Sequence, residues 1–157
     1  MTQEFNIVRY IELLKEDQKL RSQNSSFYYE GDKAKGSELL SYGIMVENQI
    51  IYNRKDEYIP VIEQYVSKQI DFVSLRSQLF TIQRKDYKLR DHLENNFEEL
   101  SKVLIDSKSS EFGVLIQDIF DLFELIDSEE DEPFEIMELR FRSFMEKNLL
   151  QIEQIFK

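Results

Sequence analysis

Cysteine does not occur in this 157-residue chain, and glycine and proline are scarce, at four and two residues. Without cysteine there is no disulfide frame, no zinc ribbon and no thiol nucleophile, and the redox compartment is left open. So little glycine and proline argues against a many-turned all-β fold and against glycine-rich phosphate cradles. Neither a P-loop nor a dinucleotide fingerprint is present. No apolar run approaches the roughly 18 residues that a membrane span needs. The start Met1-Thr2-Gln3-Glu4 lacks the basic opening of a signal peptide. The expectation is a soluble protein with no membrane insertion, cytoplasmic or in an organellar stroma.

What the chain has in excess is negative charge. Twenty Lys and Arg face 31 Asp and Glu, a net of −11. Residues 1–105 hold 15 basic and 17 acidic side chains, whereas residues 106–157 hold 5 and 14, so the last third alone carries −9. Such a field repels nucleic acid and attracts basic proteins across a Debye length of roughly 8–10 Å. The bland alternative is a solvated acidic surface.

Apolar spacing is helical throughout. Ile7, Ile11 and Leu14 recur at the 3.6 period, with Thr2 available as an N-cap. Residues 21–36 lose the period and read as a loop. Leu40, Ile44 and Ile51 predict a second helix from about Ser37 to Tyr52. A third covers Tyr58 to Lys68 with Pro60 in its first turn, and Asp71 looks like the next N-cap. From Phe72 to Leu104 the 3–4 spacing continues, but Asp86 takes a core-phase position and Asn95-Asn96 interrupts weakly, which favours a break or kink near 84–97. Ser109 or Ser110 can cap a helix through Phe112, Leu115, Ile119, Leu122 and Ile126. Pro133 can begin the last one, with Phe134, Met137 and Phe141 on one face. The predicted fold is all-α: an antiparallel four-helix bundle over residues 58–157 with an additional N-terminal helical arm, residues 1–57.

Catalytic and metal chemistry find little support. The single histidine, His92, has Leu89 three residues before it, so the Glu-x-x-His of a di-iron bundle is absent. A surface histidine is the plainer reading. The expectation is no catalytic residue, no metal and no cofactor.

Three features remain. Asp118, Asp121, Glu124 and Asp127 follow 3-3-3 spacing on an outer helix face and run into Glu129, Glu130 and Asp131. Carboxylates at a helix C-terminus oppose the macrodipole. A local rule broken without visible compensation points to function, here docking to a basic protein surface. Arg76, Arg84, Lys85, Lys88 and Arg90 form a basic stretch with only Tyr87 interleaved, better suited to internal pairing than to nucleic acid. Phe27-Tyr28-Tyr29 lies outside any helical period. These are candidate aromatic anchors for a partner, or a staple holding the arm to the bundle.

Residues 58–156 also resemble the helical immunity proteins of the colicin D type. The resemblance is carried by Tyr65-Val66-Ser67-Lys68-Gln69-Ile70-Asp71 and the following Phe72 to Phe80, by Ile119 to Asp127 with its acidic loop, and by Ile136-Met137-Glu138-Leu139-Arg140. It implies a bundle of about four helices whose acidic side chains cover the basic active cleft of a toxin nuclease in place of the RNA backbone. Asp121, Asp127, Glu129, Glu130 and Asp131 would form that surface. Residues 1–57, an expanded 84–110 stretch and Ser128 in place of an aromatic depart from the pattern. The alternative expectation is an accessory or assembly subunit of a larger complex.

Overall fold

The computed structural model of the protein describes residues 4–128 and 132–157. All regular structure among them is helical: α1 Ile7–Ser22, α2 Lys33–Asn53, α3 Lys55–Val66, α4 Phe72–Glu94, α5 Phe97–Leu100, α6 Ser109–Ser128 and α7 Phe134–Ile155. None of these helices is long and apolar enough to cross a membrane.

Short polar side chains set the starts. Asn6, Asp32, Asp71 and Asn96 each accept a hydrogen bond from the backbone N–H three residues on, at 2.8–3.2 Å, which satisfies one of the donors a helix leaves orphaned. Thr2 lies outside the described residues, and Asn6 is the cap of α1. Two helices end on non-glycine residues in the left-handed region, Asn24 (φ 56°) after α1 and Lys68 (φ 65°) after α3. In each case the next N–H returns to a carbonyl of the last turn, Ser25 to Leu20 and Gln69 to Gln64, both at 2.8 Å.

Three boundaries differ from the sequence reading, each for a local reason. The Asp32 cap starts α2 four residues early, at Lys33. One residue, Arg54, both ends α2 and starts α3: its N–H reaches Ile51 while its carbonyl accepts from Glu57 and Tyr58. Helix α3 therefore begins at Lys55, and exposed Pro60 falls in its second turn, where it removes one intrahelical donor. Ser109 does not cap α6. Its hydroxyl donates to the Asp106 carbonyl at 2.7 Å, and Asp106 turns the chain by accepting from the Lys108 N–H. Helix α4 runs unbroken through Asp86 and stops at Asn95-Asn96, so the break expected within 84–97 falls at that interruption and not at Asp86.

Two apolar clusters hold the helices. The larger takes Ile51 from α2, Tyr58, Ile62 and Tyr65 from α3, Phe72, Leu75 and Leu79 from α4, Ile116, Ile119 and Phe123 from α6, and Phe141, Met145 and Ile152 from α7. Phe123 and Phe141 stack at its centre with ring centroids 5.2 Å apart, and Phe72 meets both edge-on. The smaller cluster joins Tyr10, Leu13 and Leu14 of α1 to Tyr42, Val46 and Ile50 of α2, and to Leu93, Leu100 and Phe27. Helix α2 feeds both clusters, through Ile50 and Ile51 respectively, and lies along α6. A close approach there depends on Gly113: a side chain at that position would begin 2.2 Å from Asn48 Oδ1.

Candidate functional site: the outer face of α6 and its surroundings

Helix α6 buries Phe112, Leu115, Ile116, Ile119, Phe120 and Phe123, which occupy one side at 3–4 spacing. The opposite side presents Glu111, Val114, Asp118, Asp121 and Leu125 to water, with Glu124 alongside. Two apolar side chains thus flank two aspartates on one exposed stripe. Asp118 and Asp121 enter no ion pair among the described residues. Glu129, Glu130 and Asp131, the rest of the acidic surface expected from the sequence, lie outside the described residues.

Asp127 behaves differently from its neighbours. Its carboxylate accepts from the Arg76 guanidinium of α4, with Nη1 to Oδ1 at 2.9 Å. Arg76 in turn lies over the rings of Phe80 and Phe123, at 5.6 and 5.7 Å. The charge at the C-terminal end of α6 therefore has its compensation, supplied from 51 residues away. Two of the remaining basic residues of α4 are also paired. Lys85 reaches Glu57 at 2.8 Å, and Arg90 bridges Glu47 at 2.6 Å and Glu94 at 3.1 Å. Most of these partners come from the near-neutral first two-thirds, so the negative charge of α6 is left largely to solvent.

The aromatic run divides. Phe27 is 4% exposed and packs in the smaller cluster. The turn that carries it closes through Asp32 N–H to Phe27 carbonyl at 2.8 Å, with Gly31 at φ +74°. Tyr28 and Tyr29 are 74% and 80% exposed and meet edge to face at 5.9 Å. Of the three candidate anchors, two are presented and one is a staple. His92 is half-exposed on α4, with Nε2 2.6 Å from Glu99 Oε2. No group of three or more His, Asp or Glu suited to a metal ion occurs among the described residues.

One polar network was visible in the sequence only as an anomaly. Asp86, core-phased and 4% exposed, accepts from the Tyr58 hydroxyl at 2.5 Å and pairs with the Arg54 guanidinium. Arg54 also donates to Glu57 at 3.0 Å. Burial holds the Asp86 carboxyl above its ordinary range, against the opposing pull of Tyr58 and Arg54. Burial, and then the bond to Asp86, pushes the Tyr58 phenol far up. The Lys85 and Arg54 cations hold Glu57 below the ordinary carboxylate value. Geometrically the network is a clasp: it ties the one-residue α2–α3 joint to the middle of α4.

Comparison with protein-family models, with curated proteins and with solved structures gives no match.

Proposed function

We propose that the protein is a non-enzymatic, acidic helical module that binds a basic protein surface through the outer face of α6. In this reading α3, α4, α6 and α7 form the four-helix unit, and residues 1–54, short of the expected 1–57 because α3 starts at Lys55, are the arm laid against it. The observation that carries the reading is the pair Asp118 and Asp121. Both are exposed, both lack an ion-pair partner among the described residues, and both sit between exposed Val114 and Leu125. Charge of one sign on such a face speeds encounter with a basic partner and fixes register, while the flanking apolar side chains supply contact area. Likeness to colicin D-type immunity proteins makes the partner a toxin nuclease whose substrate cleft is lined by Lys and Arg.

A second reading draws on α7. Ile136, Leu139 and Leu150 are 50%, 71% and 60% exposed on one side of that helix. Apolar side chains repeated on one helix face suit a permanent neighbour, so the protein would be an accessory or assembly subunit.

Affinity capture from the native organism, followed by mass spectrometry, separates the two. Wild-type protein should capture a basic partner that the Asp118→Asn/Asp121→Asn variant loses and that salt elutes. A partner retained by that variant, and held through high salt, overturns the acidic-face reading in favour of the subunit.

A further inference from the structure

A groove of about 670 Å3 opens between α1, α2, the turn after α1 and the end of α4. Its volume lies within the range of small-molecule sites, about 300–1,000 Å3. The lining is mixed, apolar at Leu14, Leu39 and Phe27 and polar at Asp17, Arg21 and Glu94, with Gly43 at its floor. Two polar groups converge on that floor. Measured from the point where a side chain at Gly43 would begin, Arg90 Nη2 is 3.1 Å away and the Tyr10 hydroxyl 3.7 Å.

Both groups have unused donors. Tyr10 is 1% exposed, yet its hydroxyl makes no hydrogen bond among the described residues. Arg90 spends Nε on Glu94 and Nη1 on Glu47, and Nη2 has no partner there. Both residues border the open groove, so a ligand oxygen there would take the place of water as the acceptor. The Gln18 side chain fastens the site by donating to the Glu94 carbonyl at 3.0 Å, so α1 and the end of α4 are held in register around it.

We infer that this groove is a binding site for a small uncharged molecule that presents a carbonyl-type oxygen to Tyr10 and Arg90 and lays an apolar or aromatic body against Leu14, Leu39 and Phe27. The argument for an uncharged ligand is electrostatic. Arg90 already faces two carboxylates, Glu47 and Glu94, and the Asp17–Arg21 pair at the rim adds no net charge. An anion would meet the surplus carboxylate, and a cation would meet the guanidinium that offers the hydrogen bond. A neutral acceptor satisfies both donors with neither conflict. The Tyr10 phenol, pushed up to about 12 by burial, stays a donor across the neutral range.

The test is an NMR titration of the full-length protein with three probes of one shape: benzamide, benzoate and benzylamine. Benzamide should shift the amide resonances of Gly43 and Leu39, and benzoate and benzylamine should bind at least about tenfold more weakly, since each buries a charge against its like. Removing one donor in Tyr10→Phe should weaken benzamide by about fivefold, the worth of one hydrogen bond, and leave the melting temperature unchanged, because the hydroxyl makes no hydrogen bond among the described residues. Gly43→Ala, which fills the floor, should abolish the shifts with helical content retained. Equal binding of all three probes, no benzamide shift at Gly43 and Leu39, or undiminished binding to Tyr10→Phe would each overturn the assignment.

Discussion

Single side chains carry unequal shares of this fold, and the differences can be measured. Phe123 and Phe141 are 0% and 1% exposed and stack on each other, so truncating either to Ala removes a ring that nothing can replace. Each substitution should cost about 3–5 kcal/mol, seen as a loss of denaturation midpoint with little change in slope. Phe27→Ala should also lower the melting temperature, by several degrees, at about 2–4 °C per kcal/mol for a chain of this length. Tyr28→Ala, a few ångströms away but exposed, should leave it unmoved. Glu57 gives a pH signature. Lys85 and Arg54 depress its folded value, so its contribution is present above the unfolded carboxylate value and is lost as pH falls through the folded one. Glu57→Gln should therefore lower the melting temperature at neutral pH, and its curve should merge with that of wild type in acid, below both values. Curves that stay apart in acid would mean that Glu57 acts through packing.

At the scale of elements the decisive contacts are those where two helices come close. Gly113→Ala would put a Cβ 2.2, 2.5 and 2.7 Å from three side-chain atoms of Asn48, the last of them the Asn48 Cβ, which cannot swing away. Alanine gains up to about 1 kcal/mol in helix propensity. Forcing α2 from α6 costs about 1–3 kcal/mol, so the net effect should be destabilising. Gly36→Ala in α2 meets only the Phe27 Cβ, at 3.7 Å, and should instead stabilise by about 0.5–1 kcal/mol. Chemical denaturation of the two variants checks the opposite signs. Neither distance is visible in the linear pattern, and this marks where sequence reading stops. Helices and their buried faces are legible because 3.6 periodicity is local: the stripe Phe112–Ile119–Phe123 predicts its own burial. Asp86 on a core phase is legible as an anomaly, and a break in α4 is one way to relieve it. The chain takes another way, bringing Tyr58 and Arg54 from 28 and 32 residues upstream. Likewise the 3-3-3 acidic spacing marks the outer face of α6, but nothing local to Asp127 reveals Arg76.

The whole molecule is an unevenly charged body, and that asymmetry is what a partner would meet first. The last third carries −9 of the −11, while ion pairs within and between α1, α2, α3 and α4 absorb much of the charge of the first two-thirds. The exposed ones among these pairs contribute little stability individually. The net negative charge is concentrated in the last third, where α6 displays Asp118 and Asp121. Asp118 and Asp121 on one side, and Asp127 on the other, then separate binding from folding. Converting Asp118 and Asp121 to Asn removes only solvent-facing charge, so helical content and melting temperature should hold while association with the captured basic partner slows. Adding Asp127→Asn should lower the melting temperature as well, because it strands the Arg76 guanidinium over Phe80 and Phe123. Stopped-flow association at rising ionic strength completes the argument. The wild-type rate should fall steeply as the Debye length shrinks from about 30 Å at 0.01 M salt to about 3 Å at 1 M. The double variant should start lower and fall less, so that the two curves converge at high salt. Parallel curves would locate the steering charge elsewhere on the surface, and flat ones would leave the α6 face as solvated polarity alone.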